Sequence, residues 1–289
     1  MAVLLKSGNM QLNYEVLGLS NSESKPLILL FHGAGGDLHH YDNVTHKLVK
    51  KGYRVLLMDI RHHGLSQPIS KAEPVTFDFD DVLKDVDQVL THVVQQHYTS
   101  KKTHSLYVGG LSMGGMIALM FGEEKAKVNY KWNKMELKGL VLMASAVPGM
   151  QIERSGWDAF RDRTATLDYL QWSKQAIIQS SITKRGQTET ARALGLISDK
   201  ALYECMVNIA LQLPNPTDPP VAYKPRVCLP MLLLMPEQDP LTRPEMELLH
   251  KINRQNNIPS RFVLVPNSGH MVILDQSEAV YKQIHKFCS

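Results

Sequence analysis

Cysteine is scarce in this chain: three in 289 residues. Cys205, Cys228 and Cys288 lie far apart and are odd in number. They make neither a CxxC pair nor a disulfide framework, and a reducing compartment suits them. Long apolar runs are missing as well. No stretch approaches the ~20 residues that a membrane-spanning helix needs, and the opening "MAVLLKSGNMQ" has no apolar region long enough for a secretory signal. The ending "HKFCS" has its cysteine next to last, which excludes a prenylation box. The expected location is the cytoplasm.

An excess of one charge is also absent. The formal charge is only +4, and the basic residues are scattered. The densest cluster, Lys47 to Lys51, is interrupted by Leu48 and Val49 and reads as a solvated helix end. Nucleic-acid binding usually concentrates Lys and Arg on one face, so no nucleic-acid partner is expected. Histidine is plentiful at twelve, yet HExxH and paired Cys/His spacings are absent. Neither a metal nor a cofactor is expected.

What is present is a rhythm. "QLNYEVLG" alternates like a half-exposed strand, whereas "PLILLFHG" and "YRVLLMDI" are unbroken apolar runs. Unbroken runs bounded by turn residues fit strands buried on both faces of a mostly parallel sheet. "SLYVGG", "LKGLVLMAS", "VCLPMLLLM" and "RFVLVPNSG" continue the series. Between them, Phe77 to His97, Met113 to Gly122, Glu245 to Asn253 and Glu278 to Phe287 carry helical spacing. Alternating strands and helices predict an α/β fold with a doubly wound, mostly parallel central sheet.

The rhythm breaks from about Met150 to Lys224. No strand candidate appears there, and Trp157, Phe160, Leu167, Leu170 and Ile177 keep helical spacing up to the proline-rich "LPNPTDPPVAYKP". This predicts a helical insertion at 150–224 in a core made of 1–149 and 225–289.

Gly110-Leu111-Ser112-Met113-Gly114 matches GxSxG. The pattern alone is common, but here the serine follows a strand candidate and opens a helix candidate, as a nucleophile elbow requires. The bland alternative is a helix N-cap serine after a glycine turn. A serine hydroxyl needs a base, and the base needs an orienting group. In a parallel sheet these should lie just past the carboxyl ends of other strands. "LLLMPEQDPLT" places Asp239 there, and "RFVLVPNSGHMVILD" places His270 there. The order Ser, Asp, His suits the arrangement, although Asp239 also fits a turn before Pro240 and His270 a helix cap. "LLFHGAGGD" supplies a glycine-rich loop after a buried strand. The expected oxyanion donors are the backbone N–H groups of Ala34 and Met113, with His32 bracing the loop rather than acting as a base.

"FHGAGG", "MDIRHHGLS", "GLSMGG", "PEQDPLT" and "NSGHMVILDQSEAV" occur in an order that resembles the lidded single-domain α/β-hydrolases. "MDIRHHGLS" is similar to that family's D-x-R-G-H-G-x-S turn, with His62 in place of the usual glycine. The resemblance implies that 150–224 is a helical lid. It also makes Asp239 the acid, because "LVLMASAVPG" offers no carboxylate where some members carry theirs; Glu237 is the near rival. Trp157, Phe160, Tyr169, Trp172 and Met206 are candidates to line an apolar chamber beneath the lid, with ordinary packing as the alternative; Arg154, Arg161 and Arg163 read first as solvated face residues and otherwise as groups to greet an acidic substrate. The expected activity is hydrolysis of an ester of a small or medium, largely apolar molecule through Ser112, His270 and Asp239. Lactone, thioester and carbon–carbon bond hydrolysis and cofactor-free perhydrolysis use the same residues. A ligand sensor that keeps the fold, or a non-catalytic interaction protein, is the alternative of another class.

Overall fold

The computed structural model describes residues 3–70, 72–151, 156–215 and 222–289. Its strands are β1 (Val3–Ser7), β2 (Met10–Leu17), β3 (Leu27–Phe31), β4 (Arg54–Met58), β5 (Gln67–Pro68), β6 (His104–Leu111), β7 (Lys131–Trp132), β8 (Met135–Met143), β9 (Met231–Pro236) and β10 (Ser260–Val265). Eight of them run across the sheet in the order β1-β2-β4-β3-β6-β8-β9-β10, while the two-residue β5 and β7 pair with β2 and β8. Pairing from β4 to β10 is parallel, and β1 and β2 join antiparallel at one edge.

The helices are α1 (Asp42–Lys50), α2 (Phe79–His97), α3 (Met113–Ala126), α4 (Asp158–Arg161), α5 (Leu167–Gln179), α6 (Lys184–Leu194), α7 (Asp199–Gln212), α8 (Arg243–Gln255), α9 (Val272–Asp275) and α10 (Ser277–Cys288). They cover both faces of the sheet, which explains the unbroken apolar runs. In β3, Leu27, Leu29 and Phe31 join the core shared with α2, α3 and α8. Ile28 and Leu30 point the other way, into the core shared with α1 and α10. Successive side chains of a strand alternate faces, so a strand covered twice must be apolar throughout.

The helical spacing of the sequence corresponds to real elements, with ends fixed by local chemistry. Asp78 caps α2 by accepting the Asp80 N–H (2.7 Å), so that helix begins at Phe79. Between β8 and β9 the described residues hold only helices, α4 to α7. Thr166, Thr183 and Ser198 cap α5, α6 and α7 with their side-chain oxygens. Phe160, Leu170, Leu194 and Leu202 from these helices belong to the same core as α3. No helix among the described residues is long and apolar enough to cross a membrane.

The strand order has a consequence for chemistry. The chain leaves β3 through α1 to β4 on one side, then returns through α2 to β6 on the other. β3 and β6 are adjacent, with Phe31 opposite Gly110. The loops after them therefore lie side by side at a switch point, where an open α/β sheet leaves a crevice for ligand. Because β9 and β10 run parallel to these strands, the loops after them open on the same edge.

Candidate active site

Ser112 follows β6 and stands at the N-terminus of α3 with φ 55° and ψ −117°. A side chain held there is strained, and such strain persists only where the surroundings enforce it. The glycines supply that enforcement. A Cβ on Gly110 would lie 2.2 Å from the carbonyl carbon of Gly114, and one on Gly114 would lie 2.2 Å from the Phe31 carbonyl oxygen and 2.6 Å from that of His32. The elbow thus folds on itself and presses against the end of β3. Met143 accepts the Ser112 N–H (2.9 Å), and the Ser145 hydroxyl donates to the Ser112 carbonyl (3.3 Å). Gly114→Ala is expected to destabilise the protein by about 1–3 kcal/mol, since backbone atoms must move. A thermal melt would show a Tm lower by roughly 2–10 °C.

Asp239 is buried in the loop between β9 and α8. Its Oδ2 accepts from His270 Nδ1 (2.7 Å) and Thr242 Oγ1 (2.8 Å), and its Oδ1 accepts from the Leu241 N–H (2.9 Å). Burial alone would raise its pKa, but His270, Thr242 and Leu241 together hold it below the ordinary carboxylate value. For His270 burial works downward, yet Asp239 outweighs it, with a smaller contribution from Glu245, and the imidazole pKa is raised. The Nδ1–H is committed to the carboxylate, which leaves Nε2 as the basic nitrogen. A base must be neutral to accept a proton. The acid limb of kcat/KM is therefore expected above the ordinary imidazole pKa, with activity rising as pH passes through it. A pH–rate profile checks this.

Glu237, the rival acid, is exposed and accepts the Asn267 N–H (2.9 Å), away from His270. Ser112 and His270 line one cavity of about 440 Å³ together with Ala34 and Met113. No hydrogen bond joins the Ser112 hydroxyl to His270 in this structure, and none engages the N–H of Ala34 or Met113 among the described residues. Gly33 packs so closely on the elbow that a Cβ there would touch Ser112 Cβ at 3.4 Å.

His32 braces this loop. Its Nδ1 donates to the Gly33 carbonyl (2.8 Å) and its Nε2 accepts the Ile60 N–H (3.0 Å), which fixes the tautomer and uses both nitrogens. Burial pushes its pKa down to about 4. The "MDIRHHGLS" turn is held by Asp59, which accepts from Asn13 Nδ2 (2.7 Å) and the N–H groups of Leu38 and Leu65 (2.8 Å each). His62 takes the left-handed φ of 67° that glycine would adopt more easily. Its ring donates to the Thr76 carbonyl (2.8 Å), while the ring of His63 donates to the Arg61 carbonyl (3.0 Å). The two neighbouring imidazoles are thus each tied to backbone.

All five aromatic and methionine candidates, Trp157, Phe160, Tyr169, Trp172 and Met206, line the cavity. Arg161 and Arg163 do not. Arg161 pairs with Asp158 and the Leu213 carbonyl, and Arg163 forks onto Glu204. Arg154 lies outside the described residues. Sequence reasoning missed Thr242 and Ser145, whose bonds to Asp239 and Ser112 only folding creates. The Thr-x-x-Glu pattern of Thr242 and Glu245, a helix-start signal, could have drawn attention to the former.

Residues 22–277 match the family Hydrolase_4, described as serine aminopeptidase, S33. The chain belongs to this family of α/β-hydrolases. It is also 28% identical over 111 residues to a proline iminopeptidase of Clostridioides difficile (strain 630), a stretch covering 38% of this chain and 34% of that protein. The match thus spans about a third of the relative's length. Among solved structures it resembles a thermophilic esterase from Thermogutta terrifontis, with a TM-score of 0.74 and 21% identity over 99% of this chain and 97% of that one. The enol-lactonase from Burkholderia xenovorans LB400 superposes with a TM-score of 0.70 and 16% identity, covering 99% of each chain. At such identities the likeness to these hydrolases is one of fold.

Proposed function

We propose that the chain is a serine hydrolase that cleaves an ester of a small or medium, largely apolar molecule. The observation that carries this reading is the buried Asp239 carboxylate at 2.7 Å from His270 Nδ1, with His270, Ser112 and two unengaged amides on one apolar cavity. Ser112 attacks the ester carbonyl and His270 Nε2 takes its proton. The N–H groups of Ala34 and Met113 receive the developing oxyanion. His270 then protonates the leaving alcohol, and a water activated by the same imidazole releases the acid. Asp239 holds the tautomer and stabilises the imidazolium. Residues 150–224 act as a lid on a core of 1–149 and 225–289, and the chamber between them takes the apolar part of the substrate.

The test is direct. The protein should turn over a short-chain p-nitrophenyl ester and take up a fluorophosphonate, with mass spectrometry placing the adduct on Ser112. An adduct elsewhere, or none, defeats the reading. The family description favours a second reading, release of an N-terminal residue from a peptide. Buried Glu245, which lines the same cavity, is a carboxylate suited to an α-ammonium group. Proline p-nitroanilide turnover exceeding ester turnover in kcat/KM would select that reading.

A further inference from the structure

Helix α6 touches both loops that frame the cavity. At its start, the α5–α6 turn rests on the loop of His270. The carboxylate of Asp275, five residues after His270, accepts from Ser181 Oγ (2.5 Å), Thr183 Oγ1 (2.8 Å) and the N–H groups of Ile182 and Thr183 (3.2 Å each). It also accepts the N–H of Gly269 (3.0 Å), the residue directly before His270. Contact there is so close that a Cβ on Gly269 would lie 2.2 Å from the Ser180 carbonyl oxygen. At the other end of α6, Arg192 forks onto buried Asp37 at 2.6 and 2.9 Å. Leu194 fills the space where a Cβ on Gly35 would sit, 2.4 Å from its Cδ2. Gly35 directly follows Ala34. An 11-residue helix is about 16 Å long, so α6 bridges the histidine loop and the oxyanion loop.

We propose that Asp275 is a positioning residue whose carboxylate ties the α5–α6 turn to the His270 loop and thereby holds the imidazole in line with Asp239. The proposal rests on the serine-hydrolase reading. Four of the five donors come from the insertion and one from the histidine loop, so the carboxylate joins two parts of the chain rather than stabilising one. The charged groups that bear on His270 are Asp239 and Glu245. If the loop slackens, the imidazole moves from Asp239 and burial then dominates, which lowers its pKa. A role confined to stability would leave that pKa unmoved in the folded variant.

The experiment compares wild type with Asp275→Ala. A double variant, Ser181→Ala with Thr183→Val, cuts the insertion side while keeping the carboxylate. Arg163→Ala, on an exposed ion pair within the insertion, serves as control. The readouts are kcat and KM on a p-nitrophenyl ester, the acid limb of the pH profile, and the downfield Nδ1–H proton resonance of His270. Asp275→Ala should lower kcat by about 10- to 100-fold, the cost expected of a small misplacement, with KM changed by less than about threefold. The acid limb should move to lower pH and the downfield resonance should weaken, with the double variant following and the control matching wild type. A folded Asp275→Ala protein with wild-type kcat, limb and resonance overturns the proposal. If that variant does not fold, the double variant decides by the same criteria. Absence of wild-type turnover would defeat the serine-hydrolase reading, and the resonance would still decide the tie.

Discussion

Ser112→Ala is expected to lower kcat for ester hydrolysis by on the order of 10⁶-fold and to abolish fluorophosphonate labelling. The size follows from the role given to the hydroxyl. Without it no acyl-enzyme forms, and His270 and Asp239 have no nucleophile to activate. The unengaged amides of Ala34 and Met113 still polarise a bound carbonyl, so turnover about 10³- to 10⁴-fold above the uncatalysed rate should persist. Alanine at the elbow keeps the backbone demands unchanged, because φ of 55° is unfavourable to serine and alanine alike. A thermal melt close to wild type with activity lost would separate chemistry from folding. Wild-type activity in this variant would remove Ser112 from the reaction.

Asp239→Asn should cost about 10⁴-fold in kcat, as expected when a triad imidazole loses its tautomer control. An asparagine that keeps the Leu241 N–H on its oxygen would put its NH2 in the place of Oδ2, facing Thr242 and turning an N–H toward His270. Nδ1 must then accept, the proton moves to Nε2, and the nitrogen facing Ser112 is no longer basic. Loss of the carboxylate also removes what opposes burial at His270. Whatever activity survives should thus show its acid limb at lower pH than wild type. Glu237→Gln should leave kcat and the limb unchanged, since that carboxylate bonds Asn267 instead. An equal loss in both variants would contradict the assignment of the acid.

Ser112 and Asp239 both lie in motifs visible in the sequence. Gly110 is needed by a contact within the turn itself and Gly114 by the close approach of that turn to the end of β3, so their spacing is a signature of the elbow. Continuous apolar runs such as "LILLF" mark strands covered on both faces, because period and burial leave no alternative. Asp239 follows such a run in β9, whereas His270 follows the partly exposed edge strand β10, and parallel pairing brings the ends of both strands to one edge. β1, by contrast, was not legible: Val3 and Leu4 are exposed, so it carries no burial pattern to read. α1 announced only its basic end, since "DNVTHKLVK" buries just Val44, Thr45 and Leu48.

Periodicity and local turn geometry were enough to read the α/β class and the helical character of the segment between β8 and β9 from the sequence, and they supplied the candidates proposed as nucleophile, acid and base. How the helices between β8 and β9 are seated became visible only with the folded chain. Asp275 meets Ser181 across 94 residues and Arg192 meets Asp37 across 155. No periodicity links such partners, since the contacts exist only once the sheet has gathered its loops at one edge. The partners that Arg161 and Arg163 find, Asp158 with the Leu213 carbonyl and Glu204, have the same origin. A charge in a sequence shows what it can bind, and the fold around it determines what it does bind.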